Sequence, residues 1–522
     1  MKSFCKIIIP AVLAIFIVIS CSDDYLDLKP VKGSSSEIQF GTEAGAETAL
    51  VGCYDIMAKD GRWFMWLYWM DGFQYTKSGM WISLDDPGAV IIQNGSYPYP
   101  ISNGRDLSQT HWSSCYLEIG KLNYFLANVV NTPFEDPARL PEAMAEAKCM
   151  RAYNYFHLVQ FFKRVPLMLS PSDPDYPVQV EPEETYEQIM KDLWYAFNHL
   201  KYKDEALATP HLPTNTSGSP EYARMTKGTA AALLSKVLLT PQNNPYYDPD
   251  SAAYYAGLVI DEGGYSLEPN FDDLWGIANT VPSDEMIWQV PVSSKPPNNG
   301  PTVSSWGRPG QSWFRPQPFM AEIYGDSIDY DTITNPQGEV VRLIPQDTFY
   351  VDTRKSATLQ IDTLKYGAIF DAKYAAGAQS THTDNPKMYI LRLADIILIK
   401  AEALNQAGFN ANKQEIVDLI NLLRERAYYV NTAEHPELSE DLYKLMPGDV
   451  NSQEEMALII ETERRKELFF EAKLWFDMKR TGRFVDFYFD GDESKAYLEY
   501  MPISQKELKL NPNLKQIEGY SN

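Results

Sequence analysis

Tyr389-Ile390-Leu391-Arg392-Leu393-Ala394-Asp395-Ile396-Ile397-Leu398-Ile399-Lys400-Ala401-Glu402-Ala403-Leu404 is the stretch that decides the fold. Ile390, Leu393, Ile397, Ala401 and Leu404 recur every three or four residues, which lays them along one stripe of a helix. A break around Gly408 follows, and Ile416, Ile420, Leu423 and Ala427 form a second stripe. Two amphipathic helices so close in sequence predict an antiparallel hairpin of about tetratricopeptide length.

The same pattern recurs upstream. Ala145, Cys149, Ala152, Phe156 and Val159 share a stripe, with Pro166 standing just past the expected end, and Ala152 and Phe156 fit the A-x3-F element of that repeat. Tyr186, Ile189, Leu193, Phe197 and Leu200 make another stripe, and alanine-rich Gly228 to Leu239 reads as a tightly packed helix stopped before Pro241. A fixed period is not kept, and residues 201–220 form a long polar interruption. The expectation is therefore a mainly α chain of degenerate stacked hairpins, each covering its neighbour's apolar face. Residues 265–385 differ. Turn residues are dense there, as in Ser294-Lys295-Pro296-Pro297-Asn298-Asn299-Gly300-Pro301, and strand-like fragments such as Glu285 to Val290 stand between them. Recurring aromatics make this an ordered, loop-rich segment, and loops on a rigid scaffold are where binding residues tend to sit.

The N-terminus has its own logic. Lys2 and Lys6 precede an apolar run from Ile7 to Ser20, and Val18-Ile19-Ser20 leads to Cys21, after which Ser22-Asp23-Asp24 turns polar at once. That run is shorter than the roughly 20 residues a bilayer-spanning helix needs. Residues 1–20 thus read as a cleaved signal peptide and Cys21 as the acylated first residue of the mature chain. Acyl chains contribute about 0.8 kcal/mol per buried methylene, so two or three of them tether a protein stably. Behind the anchor we expect a helical region at 21–264, a loop-rich ligand-binding region at 265–384 and a second helical region at 385–522.

Removing Lys2 and Lys6 from 46 basic residues, against 70 acidic ones, leaves a mature net charge of −26. That balance argues against nucleic acid and anionic lipid surfaces as partners, since both require basic patches. Cys53, Cys115 and Cys149 remain in the mature chain beside Cys21, without CxxC spacing, and read as buried free thiols. The six histidines are scattered, no nucleophile elbow, phosphate loop or dinucleotide turn is present, and no metal or cofactor is expected. Among 70 acids, chance pairs that mimic a glycosidase dyad carry no signal. Glu463, Glu467 and Glu471, beside Arg464, Arg465 and Lys466, read as ion pairs on a helix surface. Asp490-Gly491-Asp492-Glu493 lacks the spacing of a calcium loop and reads as a solvated turn.

Five blocks now resemble one family in order along the chain. They are the Cys21 box with Asp24-Tyr25-Leu26-Asp27; Ala145-Glu146-Ala147-Lys148-Cys149-Met150-Arg151-Ala152-Tyr153 running to Val165-Pro166-Leu167; and Tyr389 to Asp395 running to Ala401-Glu402-Ala403. Glu463-Arg464-Arg465-Lys466-Glu467-Leu468 with Glu471 and Trp475 follows, then Pro502-Ile503 with Asn511-Pro512-Asn513-Leu514-Lys515-Gln516. Together they resemble the SusD/RagB family of outer-membrane nutrient-binding lipoproteins. Cys21-Ser22-Asp23-Asp24 is similar to the acidic signal that sends Bacteroidetes lipoproteins to the cell surface. Where the family usually shows a glycine before the proline of the second block, this chain has Lys163-Arg164. The resemblance implies four tetratricopeptide-like hairpins, a TonB-dependent SusC-like transporter as partner, and capture of oligosaccharide, or in some members peptide, without chemistry.

In the family, ligand-contacting aromatics come from loops of two regions. Here Trp63, Trp66, Trp69 and Phe73 keep helical spacing and read as core, whereas Trp81 leaves that stripe. Tyr97 and Tyr99 flank Pro98, and Trp306, Trp313 and Phe314 lie in a glycine- and proline-rich stretch. Flat rings match the CH-rich faces of sugars and lose little conformational entropy on binding. Trp81, Tyr97, Tyr99, Trp306, Trp313 and Phe314 are therefore the expected ligand contacts, with Asn94, Asn103, Arg308 and Arg315 able to bond hydroxyls.

Overall fold

Over the described residues helices form where the stripes predict them, whereas the Trp63, Trp66, Trp69 and Phe73 stripe lies outside those residues. The computed structural model describes residues 36–58, 107–207, 224–275, 283–290, 323, 330–334, 340–345, 352–362, 368–371, 388–428, 443–469 and 471–520. Its helices are Ser36–Phe40 (α1), Glu43–Ala58 (α2), Leu107–Val129 (α3), Arg139–Phe162 (α4), Pro182–His199 (α5), Lys203–Leu207 (α6) and Lys227–Leu238 (α7). Pro249–Glu262 (α8), Arg354–Thr358 (α9), Leu393–Ala427 (α10), Gln453–Glu467 (α11), Leu474–Arg480 (α12), Phe484–Phe489 (α13) and Gln505–Leu510 (α14) complete them. Short strands pair antiparallel, Val165–Pro166 (β1) with Gln179–Val180 (β2) and Met286–Val290 (β3) with Met388–Arg392 (β8). Tyr330–Thr334 (β4) pairs with Val340–Pro345 (β5), and Leu359–Asp362 (β6) with Ala368–Asp371 (β7).

The expected α class is what the chain adopts, and its helices pack in succession: α3 on α4, α4 on α5, α5 on α7, α7 on α8, α8 on α10 and α10 on α11. Small residues set the closeness of these contacts. From Gly228 to Ser235 every residue of α7 is buried, and a Cβ on Gly228 would stand 2.7 Å from the Tyr265 ring. Thr226 caps the helix by accepting from the Thr229 amide at 3.2 Å. The break at Gly408 is real: its backbone is extended, and Asn412 Nδ2 donates across it to the Leu404 carbonyl at 3.2 Å. One boundary differs from expectation. Ile390 belongs to β8 rather than to the following helix, because Tyr389-Ile390-Leu391 pairs with β3, and a short apolar run suits either state until a partner strand decides.

The C-terminal segment straps the N-terminal helices. Met501 N–H donates to Phe161 O at 2.6 Å, Asn511 Nδ2 to Pro177 O at 2.8 Å, and Lys515 N–H to Gln179 Oε1 at 2.7 Å. Buried Lys479 donates to Gln160 O at 2.6 Å and Glu499 O at 3.0 Å with its ammonium 3.4 Å from the Tyr500 ring centre, and burial lowers its pKa to about 7. Beside this strap, Lys163 ends α4 with φ 61° and ψ −73°, a backbone region that side chains avoid. Cys53, Cys115 and Cys149 are free and buried, as expected. Among the described residues no helix is long and apolar enough to cross a membrane.

Candidate functional site

Cys21 and all six expected ligand aromatics, Trp81, Tyr97, Tyr99, Trp306, Trp313 and Phe314, lie outside the described residues. So do Asn94, Asn103, Arg308 and Arg315. What the structure does place is the pair of stems from which the aromatic-bearing segments depart: the end of α2 and start of α3 for 59–106, and the ladder of β3 with β8 for 291–387. Each stem is held by a cluster of buried charges.

At the β3–β8 stem, Arg392 ends one strand and Glu285 stands just before the other. Arg392 reaches Glu285 at 2.7 Å, Glu467 at 2.6 Å and Glu471 at 2.7 Å, and also donates to the Glu467 carbonyl at 2.7 Å. Arg426 pairs with the other Glu285 oxygen at 2.7 Å and with Glu467. Arg354 joins Asp352 at 2.9 Å, Glu463 at 2.7 Å and Glu467 at 3.1 Å, and Arg424 closes on Glu463 at 2.9 Å. Burial by itself would push the Glu467 carboxyl up, but the Arg426, Arg392 and Arg354 guanidiniums outweigh it and hold it well below the usual carboxylate range. Trp288 of β3, fully buried, meets the Tyr153 ring edge-on at 4.8 Å between centroids. The ladder is thus locked to α4, α10 and α11 at once.

The three glutamates depart from their expected setting. Glu463, Glu467 and Glu471 do form ion pairs, but they are only 1%, 0% and 3% exposed, and Glu471 lies beyond the end of α11. Their arginine partners come from distant parts of the chain, so no local pattern could reveal the burial.

A second clamp fixes α2. Tyr54 donates to Glu146 Oε2 at 2.7 Å and accepts from the Met225 amide at 2.9 Å. Glu146 pairs with Arg139 at 3.0 Å and Arg224 at 2.7 Å, and Glu47 meets the same two arginines at 2.5 and 3.2 Å. Burial alone would raise Glu146, Glu463 and Glu467, but the neighbouring guanidiniums outweigh it and hold all three below the ordinary carboxylate value. Such groups position a backbone and are poorly suited to carry a proton to a substrate.

Two of the cavities among the described residues bear on ligand capture. One of about 50 Å³ between α4, α7, β8 and α12, lined by Tyr153, His157, Lys236, Tyr389 and Lys473, has room for a few waters and none for a sugar. A cleft of about 590 Å³ lies along the C-terminal strap, lined by Lys163, Arg164, Gln179, Tyr497, Tyr500 and Lys515. Its amides are already committed: Gln179 bonds Arg164 O and the Lys515 amide, and Gln516 bonds both backbone groups of Ile503. Among the described residues no group of three or more His, Cys, Asp and Glu could hold a metal ion.

Comparison with known proteins gives this frame a family. A family described as "Starch-binding associating with outer membrane" matches residues 24–239, and one described as "SusD family" matches residues 363–520. SusD-like protein P2 of Formosa agariphila is 26% identical over 545 aligned positions, spanning 96% of this chain and 97% of that protein. SusD-like protein P38 of the same organism is 23% identical, spanning 93% of each. Among solved structures, a laminarin-binding SusD-like protein shares the fold with TM-score 0.62 at 22% identity, over 92% of this chain and 100% of that one. Surface glycan-binding protein A from Bacteroides fluxus does so with TM-score 0.68 at 17% identity, over 92% and 100%. Matches on both sides of the loop-rich segment, together with relatives that run the length of the chain, identify this protein as a member of the SusD/RagB family.

Proposed function

We propose that this chain is a lipid-anchored glycan-binding protein of the outer cell surface, which captures oligo- or polysaccharide and delivers it to a TonB-dependent SusC-like transporter. It breaks no bond itself. The observation that carries this reading is the family membership of a chain whose two aromatic-bearing segments spring from charge-clamped stems. Printed names of structural neighbours, one laminarin-binding and one a surface glycan-binding protein, support the ligand class. In this reading the acylated Cys21 supplies the tether, and rings among Trp81, Tyr97, Tyr99, Trp306, Trp313 and Phe314 supply the stacking surface.

Isothermal titration of the mature protein against plant and host glycans should give saturable heat with at least one of them. Silence with every glycan, together with heat from peptides, would replace the sugar reading by a RagB-like peptide-binding one. A reducing-end assay on the glycan that binds should show no new chain ends.

A further inference from the structure

The helical frame also carries a line of rings that starts on the core and runs out to solvent. On α5, Trp194 follows the inward-facing Leu193 by one residue, so its ring leaves the buried stripe, and it is 39% exposed. It meets Tyr246, from the loop before α8, edge-on at 5.8 Å between centroids, and stands one helical turn before Phe197 on α5. Tyr255 of α8 in turn meets Phe197 and its neighbour Tyr254, each at 5.3 Å. These five rings make one continuous ridge that bridges α5 and α8 above the buried α7. Its far end, Tyr254, is 62% exposed.

Two of the five, Trp194 and Tyr254, are exposed, with Tyr246, Phe197 and Tyr255 half-buried between them, and exposed rings braced on one face in this way mark an interaction surface. The composition of the ridge narrows the occupant. Its most exposed rings, Trp194 and Tyr254, each combine a flat apolar face with a polar end, and no exposed aliphatic side chain interrupts them. Asn198 and Asp250 are exposed one helical turn from Trp194 and Tyr254, placing an amide and a carboxylate beside the rings. Glu187 and Lys191 neutralise one another at 2.6 Å, and Lys227, 4.7 Å from the Phe197 ring centre, offsets part of the charge of exposed Asp250 and Glu262, so no strong charge of either sign borders the rings. Rings interleaved with bonding groups, and bordered by no strong charge, suit an uncharged polyol chain better than an acidic glycan or an aliphatic protein surface.

We propose that the Trp194–Tyr246–Tyr255–Tyr254 ridge is a second glycan-contacting surface, separate from the loop aromatics, that takes the pyranose faces of a neutral polysaccharide. The proposal rests on the glycan-binding reading above. Two weak sites on one body hold a long chain by effective concentration, whereas a short oligosaccharide engages only one of them.

The test is native affinity electrophoresis with laminarin, starch, xylan and mannan in the gel, paired with titration of short oligomers of whichever polymer retards the wild type. Trp194→Ala/Tyr254→Ala should lose about tenfold in apparent affinity for the polymer and keep the wild-type affinity for the short oligomer. Trp306→Ala should weaken both. Tyr254→Ala alone, at a position too exposed to support the core, should shift the same way and guards against misfolding of the double variant. Ridge variants retarded like the wild type would overturn this inference and leave the main reading intact. So would ridge variants that keep polymer binding but fail to co-purify with a protein partner. A wild type unretarded by every polymer would remove the glycan reading and this inference with it.

Discussion

At the scale of single residues, Lys163 is the clearest oddity. The family resemblance places a glycine in this turn, and the structure supplies the reason: the backbone has φ 61° and ψ −73°. A side chain forced there costs on the order of 1–3 kcal/mol, offset here only by the ammonium lying 5.5 Å from the centre of the Tyr500 ring. Lys163→Gly should therefore stabilise the protein by about 1 kcal/mol, read as a higher urea midpoint. Glu118 makes a second case. Burial, its largest influence, pushes the carboxyl up to about 8 from 4.5, with Asn154 and Lys121 pulling it back only part of the way. A raised folded-state value means its contribution is complete below about pH 4.5 and lost as pH rises through about 8. Glu118→Gln should match the wild type at pH 4.5 and exceed it increasingly towards pH 9, in urea melts compared pH by pH. Neither residue stood out in the sequence, because a dihedral angle and a burial depth are both set by neighbours far along the chain.

At the scale of elements, the contrast lies between local and distant information. The α5 stripe of Tyr186, Ile189, Leu193 and Phe197 was legible because helical period is a local property, and the break at Gly408 was legible for the same reason. The β8 strand was not, since its state depends on β3, and Ile390 was assigned to the wrong element. The charge clamp was legible only in part: Glu463 and Glu467 announced ion pairing, while Glu285 and Arg426, 141 residues apart, gave no hint of meeting. That clamp makes a sharp prediction. Arg392→Ala strands Glu285, Glu467 and Glu471 as buried carboxylates missing a shared partner, and should cost about 3–5 kcal/mol in unfolding free energy. Arg392→Lys should recover little of it, because a point charge cannot fork to three acids. By comparison, Arg164→Ala at the exposed Arg164–Glu181 pair should cost less than about 1 kcal/mol.

At the scale of the whole molecule, the helical class and family were readable because many weak blocks fell in one order, and the candidate ligand aromatics were named by type and loop context. Their geometry was not readable, and those residues lie outside the described ones. The proposed division of labour still has a bulk signature. A chain with net charge −24 that binds an uncharged glycan by ring stacking should show an affinity nearly independent of salt. Titrations at low and high ionic strength should agree within about twofold, whereas affinity for a basic peptide would fall steeply.

The three sequestered thiols carry a last consequence. Burial pushes Cys53 up to about 12 and Cys149 higher still, so neither offers the nucleophilic sulfur that disulfide exchange demands. The frame owes its rigidity to guanidinium forks and close helix contacts, with no covalent staple among its described residues. The described frame therefore gives dithiothreitol nothing to reduce, and its melting temperature should be the same with the reductant as without.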